Sequence, residues 1–296
     1  MNTTLWTDIS EHIGTTTGVR FTGSDYHAVA GGCINTAVVI KDKGRSYFVK
    51  LNDGPRLPMF EAESDGLREI AASNSVRVPQ PVCAGVSGQQ AYLVLEYIAF
   101  APCEDQGPER LGQQLASMHR TQQKTFGWRR DNTIGSTPQI NTPTADWLTF
   151  WQHHRLEYQL RLAAAQGHRG DLQRKGERLL SDLVLLFTNY IPTASLLHGD
   201  LWSGNVAYDN HAQPVIYDPA VYYGDREADI AMTELFGGFP PRFYQAYRDA
   251  WPLDPDYSVR KHLYNLYHVL NHLNLFGGGY RAQAEGLMDR LLSEVR

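Results

Sequence analysis

Three polar residues in the second half of the chain have the types and spacing that phosphoryl transfer requires. The stretch from His198 to Asn205 reads His-Gly-Asp-Leu-Trp-Ser-Gly-Asn, and Asp218 follows Asn205 by thirteen positions. Transfer of a phosphoryl group to a hydroxyl needs a base near that hydroxyl and hard oxygen ligands for Mg²⁺. Asp200 can supply the base, while Asn205 and Asp218 can supply two ligands. A surface turn is the competing interpretation, and the register of Asp218 argues against it.

A lysine in the first third of the chain is placed to reach the phosphates of a nucleotide. Lys50 lies in an alternating run that predicts a strand. A lone lysine in a strand is usually a solvated edge residue, but the helical stretch that follows offers an acidic partner. Because Glu63 shares one helical face with Phe60 and Leu67, it points inward, while Glu61 points away. We therefore expect Lys50 to pair with Glu63.

Two glycines between the first two predicted strands form a candidate phosphate loop. Gly31 and Gly32 begin the sequence Gly-Gly-Cys-Ile-Asn, which continues through Cys33 and Ile34 to Asn35. Glycines let backbone N–H groups approach phosphate oxygens closely. The loop joins two strands and does not lead into a helix, so it is not a Walker loop. A plain hairpin turn is the competing interpretation, and the position before the strand lysine favours the phosphate loop.

The residues that could bind an acceptor are aromatic or polar and uncharged. Trp202 lies two positions after Asp200, where its ring could stack on a sugar, although a buried core tryptophan fits equally well. The predicted helix at 258–276 carries a polar stripe without Lys or Glu, which a solvated face would normally contain. We expect this stripe to form a pocket wall that recognises hydroxyls, with satisfied interior side chains as the alternative. Its members are Tyr264, His268, Asn271 and His272.

The bulk properties of the chain exclude several classes of protein. Its 296 residues are enough for two lobes, each with its own core. A net charge of −5 provides no basic field, so no nucleic-acid partner is expected. No stretch approaches about 18 apolar residues, and the first residues lack a signal-peptide pattern, so we expect no membrane association. Three widely spaced cysteines favour a reducing, cytoplasmic location.

The elements that must position these residues change in type near residue 98. Before it, strands are predicted at 21–29, 34–40, 47–51 and 91–98, with helices at 4–13 and 60–73 and a proline-rich break at 76–81. After it, helices are predicted at 111–120, 145–166, 171–190, 230–235, 242–251, 258–276 and 281–296. We therefore expect an α+β fold with a cleft between two lobes, residues 1–98 binding a nucleotide and residues 99–296 carrying the catalytic loop and the acceptor site.

Together these motifs resemble the protein-kinase-like phosphotransferases of the aminoglycoside and choline kinase kind. They are most similar to the fructosamine (ketosamine) 3-kinase family. The matching stretches, in the expected order over nearly the whole chain, are 31–35, 48–52, 59–63, 198–205 and 263–280. Asp218 is followed by Pro-Ala, where protein kinases have Phe-Gly. This departure argues for an enzyme that acts on small molecules and lacks the usual activation switch.

The resemblance implies a bilobal protein-kinase-like fold that uses ATP and Mg²⁺. By the same resemblance, the carbonyl of Glu96 and the amide of Ile98 form the hinge that binds adenine. Asp229 matches a family aspartate that braces the catalytic loop, although a plain first-turn acid favoured by the helix dipole fits as well. The sequence leaves the roles of the neighbouring Asp225 and Glu227 open.

The resemblance further implies phosphorylation of the 3-hydroxyl of a ketosamine, a sugar adduct on a free amine or on a protein lysine. The 3-phosphate would destabilise the adduct and so repair glycation. The sequence does not decide between ribulosamine, erythrulosamine and fructosamine. One alternative is a kinase of choline or aminoglycosides, which usually binds its cationic acceptor with an acidic cluster. The other is a nucleotide-binding pseudokinase scaffold, against which the full set of catalytic residues argues.

Cys33 carries a hypothesis of its own. A thiol in a phosphate loop, near backbone N–H dipoles, could be open to oxidation. A disulfide between two chains would then block nucleotide binding, so the chain is expected to be a monomer or a redox-dependent homodimer. A small residue tolerated in a turn is the alternative. Turnover that is unaffected by peroxide, and unchanged in Cys33→Ser, would remove the hypothesis.

Overall fold

The computed structural model describes residues 3–23, 25–29, 34–103 and 106–295 of the chain. The first part contains two helices and a five-stranded antiparallel sheet of strand order β1-β2-β3-β5-β4. Its elements are α1 (Thr3–Thr17), β1 (Asp25–Val29), β2 (Thr36–Asp42), β3 (Arg45–Asp53), a 3₁₀ turn (Gly54–Arg56), α2 (Leu57–Ala72), β4 (Pro81–Ser87) and β5 (Gln90–Glu96).

Strand β4 is an element that the sequence analysis missed. The prolines around residue 80 predicted only a break after the helix, whereas the structure begins a strand at Pro81. The sheet order explains how a proline is accommodated, because β4 is an edge strand and, among the strands that the structure describes, pairs only with β5. A proline at the first residue of an edge strand removes no essential ladder hydrogen bond. The pairing with β5 is also irregular between Pro81 and Cys83.

The second part is mostly helical, with short strands around the segment that carries Asp200. Its helices are α3 (Gly107–His119), α4 (Trp147–Trp151), α5 (Glu157–Ala165), α6 (Asp171–Asp182), α7 (Glu227–Leu235), α8 (Pro241–Ala250), α9 (Tyr257–Phe276) and α10 (Tyr280–Glu294). Its strands are β6 (Phe100–Ala101), β7 (Asn132–Ile134), β8 (Thr137–Gln139), β9 (Ser195–Leu197), β10 (Val206–Asp209), β11 (Pro214–Ile216) and β12 (Tyr222–Gly224).

Two of the predicted helices in this part are interrupted. The helix predicted at 145–166 is α4 and α5 joined by a π-helical turn, Gln152–Leu156. The helix predicted at 171–190 ends at Asp182 and continues only as a 3₁₀ turn, Leu183–Phe187. The strands β6 to β12 have two to four residues each, too few for a periodic pattern to predict.

One strand joins the two apolar cores of the molecule. In β5, Leu93 and Leu95 face the large core that continues into the helical part, while Tyr92 and Val94 face the core beneath α1. This alternation is the two-residue period of a strand that is covered on both faces. The prediction of an α+β fold with a sheet-rich first part and a helical second part is confirmed. Among the residues described, no helix is both long and apolar enough to cross a membrane.

Candidate functional site

The loop that carries Asp200 is held in place by a buried carboxylate, that of Asp229. It follows β9, and its second residue, Gly199, has a φ of 82°, which a side chain would strain. Asp229, in the first turn of α7, accepts the backbone N–H of His198 at 2.7 Å and that of Gly199 at 2.8 Å. His119 approaches the same carboxylate at 3.2 Å. Asp229 is 1% exposed, and its contacts are those of a brace.

The ionisation of Asp229 follows from these contacts. Burial opposes the charged form, but hydrogen bonds from His119 and from the backbone of Gly199 outweigh it and lower the pKa of Asp229. Burial lowers the pKa of His119, so this ring is neutral and donates its Nε2–H to the carboxylate. A charged acceptor makes stronger hydrogen bonds than a neutral one, which suits a group that fixes two backbone amides.

His198 joins the loop to the segment that ends in Asp218. Its Nε2 lies 2.9 Å from the carbonyl of Tyr217, and its Nδ1 accepts the backbone N–H of Asp200 at 3.2 Å. These two partners require the neutral tautomer with the proton on Nε2. Burial lowers the pKa of His198, which agrees with a neutral ring. The ring therefore orients the backbone on both sides of the site and carries no charge into it.

Asp200, Asn205 and Asp218 lie together at the end of this arrangement. The side-chain amide of Asn205 donates to the carbonyl of Asp200 at 2.9 Å, and the backbone of Asn205 accepts the N–H of Tyr217 at 3.1 Å. Burial, with the nearby carboxylates of Asp218 and Asp229, raises the pKa of Asp200 to about 7. A carboxylate with a pKa near neutrality is suited to accept a proton at ordinary pH.

Lys50 lies between two carboxylates. This is the arrangement expected of an ion-paired lysine at a phosphate-binding site. Its Nζ is 2.5 Å from Glu63 Oε1 and 2.6 Å from Asp218 Oδ1, and the residue is 5% exposed. Burial alone would favour the neutral amine, but the two carboxylates outweigh it and raise the pKa of Lys50. Glu61 lies outside this group and approaches Arg130 at 3.6 Å. The structure thus forms the Lys50–Glu63 pair that the helical face predicted.

The oxygen atoms at this site fit Mg²⁺ bound together with phosphate. Asp218 offers a carboxylate whose side chain is 44% exposed, and Asn205 offers an amide oxygen. Hard oxygen donors of this kind suit Mg²⁺, which keeps several waters and takes other ligands from substrate phosphates. In the described part of the chain, no group of three or more His, Cys, Asp or Glu residues could hold a metal ion alone. A site of two protein oxygens completed by phosphate agrees with that.

The structure describes only some of the residues that the sequence predicted to bind the nucleotide. Gly31, Gly32 and Cys33 lie outside the described residues. Ile34 and Asn35 follow them immediately before β2, where the side-chain amide of Asn52 donates to the carbonyl of Ile34 at 3.2 Å and to Asn35 Oδ1 at 2.8 Å.

The predicted hinge lies between β5 and β6. The side chain of Glu96 accepts from Arg77 at 2.8 Å, and Ile98 is buried. The predicted hinge would bind adenine through backbone atoms, and these side-chain contacts do not test it. The hinge role therefore stays a prediction.

On the acceptor side, a row of rings leads away from the catalytic loop. Trp202 is 38% exposed, so it is not a core residue. Its ring lies 6.4 Å from that of Phe236, which lies 4.9 Å from His272, which in turn lies 5.5 Å from Phe276. Phe276 is 56% exposed at the end of α9. Aromatic faces of this kind bind the apolar faces of sugar rings.

The polar stripe of α9 is only partly a pocket wall. Asn271 is 2% exposed, accepts from Gln159 at 3.2 Å and donates to the carbonyl of Ile134 at 3.3 Å, so it is a satisfied interior residue. Its predicted place on the pocket wall is wrong, because the stripe faces α5 and β7 at that position. His272 is half-buried and is itself a member of the row of rings. His268 is buried, and its Nδ1 has no hydrogen-bond partner among the described residues.

The row of rings ends at a shallow pocket of about 300 Å³ between the two parts of the chain. It is lined by Ile34, Asn52, Asp53, Arg56, Ser136, Leu275 and Phe276. The lining combines exposed apolar side chains with one acidic and one basic group. This pocket was not foreseen, because its residues come from four segments that are far apart in the sequence.

The sequence also did not predict a buried charged cluster that joins the start of α7 to α9. Glu227 forms a two-point ion pair with Arg260 of α9, with N–O distances of 2.8 and 3.1 Å, and both residues are almost fully buried. Asp225 accepts hydrogen bonds from the hydroxyls of Tyr190 at 2.8 Å and Tyr264 at 2.5 Å. The cluster fixes α7, which carries Asp229, against α9. The sequence showed these charges but not their partners.

Comparison with known proteins agrees with this geometry. A family model described as Fructosamine kinase matches residues 5–294. The "Probable ketoamine kinase" of Synechocystis sp. is 47% identical over 292 residues, which cover 97% of each chain. The chloroplastic "Protein-ribulosamine 3-kinase" of Arabidopsis thaliana is 44% identical over 272 residues, which cover 91% of this chain and 83% of the plant protein.

Solved structures support the same fold. A crystal structure from Thermobifida fusca, provisionally described as a fructosamine-3-kinase, superposes with a TM-score of 0.86 at 31% identity and covers 97% of this chain and 99% of its own. The aminoglycoside phosphotransferase APH(4)-Ia has a TM-score of 0.59 at 19% identity and covers 96% of this chain and 98% of its own. This second likeness concerns the fold alone and confirms the predicted kinase-like architecture.

Proposed function

The chain belongs to the fructosamine kinase family, and we propose that it transfers the γ-phosphoryl group of ATP to the 3-hydroxyl of a ketosamine. The observation that carries the proposal is the group formed by Asp200, Asn205 and Asp218, with Lys50 and Glu63 beside it. These are the five side chains that phosphoryl transfer from ATP needs, brought together from distant parts of the chain.

On the nucleotide side, Lys50 is the residue that would bind the phosphates. Glu63 orients its ammonium group, which keeps its charge because two carboxylates surround it. Asn205 and Asp218 would hold Mg²⁺, which when bound neutralises charge on the phosphate oxygens. We assign the nucleotide to residues 1–98 and the acceptor to residues 99–296, with the adenine at Glu96 and Ile98.

On the acceptor side, Asp200 would accept the proton of the attacking hydroxyl or orient that hydroxyl. Its pKa of about 7 allows the ionised form near neutral pH. Asp229 would hold the loop in place through its two backbone contacts. Positioning of this kind contributes much of the rate in phosphoryl transfer, where the protein does little covalent chemistry.

The sugar of the acceptor would stack on Trp202, with His272 and His268 nearby to bind its hydroxyls. Its amine would extend along the row of rings towards the pocket at Phe276. That direction leads out of the cleft, so a ketosamine on a protein lysine would fit as well as a free one. The 3-phosphate would then leave as inorganic phosphate by β-elimination, and water would hydrolyse the resulting imine to the free amine and a dicarbonyl sugar fragment, which is a repair of glycation.

The proposal is tested by measuring ADP release with a panel of acceptors. Ribulosyl-, erythrulosyl- and fructosyl-lysine should support turnover, and choline and an aminoglycoside should not. In Trp202→Ala, kcat/KM for the ketosamine should fall at least tenfold while KM for ATP stays unchanged. That result would support the acceptor site at Trp202. Turnover with choline or the aminoglycoside alone would assign the chain to that class of kinase. ATP binding without turnover on any acceptor would indicate a scaffold.

A further inference from the structure

The segment that carries Asp218 is held by hydrogen bonds on both of its sides. Before it, the carbonyl of Tyr217 accepts from His198 Nε2 at 2.9 Å. After it, the N–H of Ala220 donates to the carbonyl of His198 at 2.8 Å. His198 therefore fixes the segment towards the catalytic loop. Two backbone carbonyls after Asp218, those of Ala220 and Val221, face a different element, the β7–β8 hairpin.

Two buried side-chain amides of this hairpin bind the carbonyls that follow Asp218. Gln139 Nε2 donates to the carbonyl of Ala220 at 3.0 Å, and Asn132 Nδ2 donates to that of Val221 at 2.8 Å. The same Gln139 nitrogen donates to Asn132 Oδ1 at 2.8 Å, so the two amides are joined. Gln139 is 1% exposed and Asn132 is 8% exposed. Buried amides whose groups are satisfied in this way have a fixed orientation.

The side-chain oxygen of Gln139 connects these two amides to α9, the helix with the predicted polar stripe. It accepts the hydroxyl of Tyr267 in α9 at 2.8 Å. Burial raises the pKa of Tyr267 to about 12, and the Asp200 carboxylate adds to the rise, so this hydroxyl keeps its proton and lies within electrostatic reach of Asp200. The hydrogen bonds of the Gln139 amide thus join Tyr267, Asn132 and the segment after Asp218.

The backbone of Asp218 needs such a clamp. Its φ of 57° lies in the left-handed region, which residues other than glycine adopt uncommonly. Such conformations persist where the surrounding structure over-determines them. The carbonyl of Ala220 is also confined on its other side, because a Cβ atom at Gly199 would lie 2.1 Å from its oxygen.

We propose that Gln139 is a positioning residue for metal binding, which acts by holding the carbonyl of Ala220 and thereby the carboxylate of Asp218. The inference rests on the proposed function, in which Asp218 binds Mg²⁺. It adds a residue that touches neither substrate nor metal. The hairpin thus fixes the segment after Asp218 through two buried amides.

The test measures metal binding directly. Mn²⁺ replaces Mg²⁺ because it takes the same oxygen ligands and is visible by electron paramagnetic resonance. In the presence of a non-hydrolysable ATP analogue, Gln139→Leu should weaken Mn²⁺ binding about 10- to 100-fold, as is typical when a group that orients a metal ligand is lost. Binding of the analogue in EDTA should stay within about twofold of wild type.

The matched control is Gln173→Leu. Gln173 also donates two hydrogen bonds to backbone carbonyls, those of Leu160 at 3.1 Å and His168 at 2.9 Å, but it lies on α6 away from the site. It should lower Tm without changing Mn²⁺ affinity. Tyr267→Phe, a smaller change that removes only one hydroxyl, should weaken Mn²⁺ binding in the same direction and serves if Gln139→Leu does not fold.

The outcomes separate this inference from the proposed function. Wild-type Mn²⁺ affinity in Asp218→Ala would contradict the assignment of the metal ligand itself. Loss of Mn²⁺ in Asp218→Ala, together with wild-type affinity in both Gln139→Leu and Tyr267→Phe, would overturn the role of Gln139 alone. Equal losses in Gln139→Leu and Gln173→Leu would also overturn it, because they would show a general loss of stability.

Discussion

At the scale of single residues, two carboxylates in one site behave differently because their partners differ. Asp229 accepts two backbone N–H groups and a histidine, so its pKa is lowered. Asp200 is half-buried beside two other carboxylates, and the loss of solvent together with their charges raises its pKa to about 7. Environments that separate the pKa values of neighbouring acids suit them to different roles: Asp229 has the contacts of a brace, and in the proposed function Asp200 exchanges the proton.

The raised pKa of Asp200 predicts a cost to stability. Its folded-state pKa, about 7, lies above the ordinary value of 3.8, so the folded state binds the proton more tightly than the unfolded state. Stability is therefore lost as the pH rises from 3.8 through 7, and the full cost is present at pH 8. Asp200→Asn removes the charge. We expect its Tm, without nucleotide or metal, to exceed that of wild type at pH 8, and the difference to shrink towards pH 5.

Asp249→Asn is the control for this prediction, because Asp249 lies exposed on α8. It should leave Tm nearly unchanged at both pH values. A lower Tm for Asp200→Asn at pH 8 would mean that the carboxylate is stabilised in the fold, contrary to its raised pKa beside two other carboxylates.

The chemical residues were predictable from the sequence, but their supports were not. Asp200, Asn205 and Asp218 were identified because their types and spacing suit one reaction, and Glu63 was chosen over Glu61 by helical period. Gln139 and Asn132 gave no signal, because an amide in a three-residue strand has many possible partners. Asn271 was misplaced because a polar stripe can face either a pocket or another element, and only packing decides which.

At the scale of elements, the catalytic loop depends on close contact between two backbones. Gly199 has a φ of 82°, and a Cβ there would lie 2.1 Å from the carbonyl oxygen of Ala220. The sequence did identify this loop, from the types and spacing of Asp200, Asn205 and Asp218. It could not identify the short strands on either side, whose pairing is set by contacts distant in sequence.

Gly199→Ala should therefore damage activity more than its backbone strain alone would explain. Gly167→Ala is the control, because Gly167 has a similar φ of 91°, but a Cβ atom there would meet no other atom within 4 Å. Each substitution should cost about 1–2 kcal/mol of unfolding free energy for the left-handed backbone. Only Gly199→Ala should also lower kcat, by about 100-fold, because it displaces Asp200.

Urea unfolding and steady-state kinetics on the two variants provide the measurement. Equal kcat values for Gly199→Ala and Gly167→Ala would contradict the dependence of the loop on this contact.

At the scale of the whole molecule, the two cores share one strand. Leu93 faces the large core and Val94 faces the core beneath α1. The change of pattern near residue 98 correctly predicted where sheet gives way to helix. It could not predict that the large core continues across that position, because a sequence shows apolar periodicity and not the partner of each apolar face.

This sharing predicts a single unfolding transition. Leu93→Ala, which opens a cavity in the large core, should lower the stability of the whole chain by about 2–5 kcal/mol. Val94→Ala should lower the same transition through the other core. Calorimetry should give a ratio of calorimetric to van't Hoff enthalpy near 1 for both variants. A separate, earlier transition in Val94→Ala would show that the core beneath α1 unfolds independently.

The most direct test of the central claim identifies the oxygen that receives the phosphoryl group. Ribulosyl-lysine, labelled with ¹³C in the sugar, is incubated with ATP and Mg²⁺ and followed by ³¹P and ¹³C NMR. We predict a product with phosphorus coupled to C3, which then decays to free lysine. Asp200→Asn should form it roughly 10²- to 10⁴-fold more slowly, as expected when a catalytic base is lost. A phosphate on another carbon, or full activity in Asp200→Asn, would contradict the account.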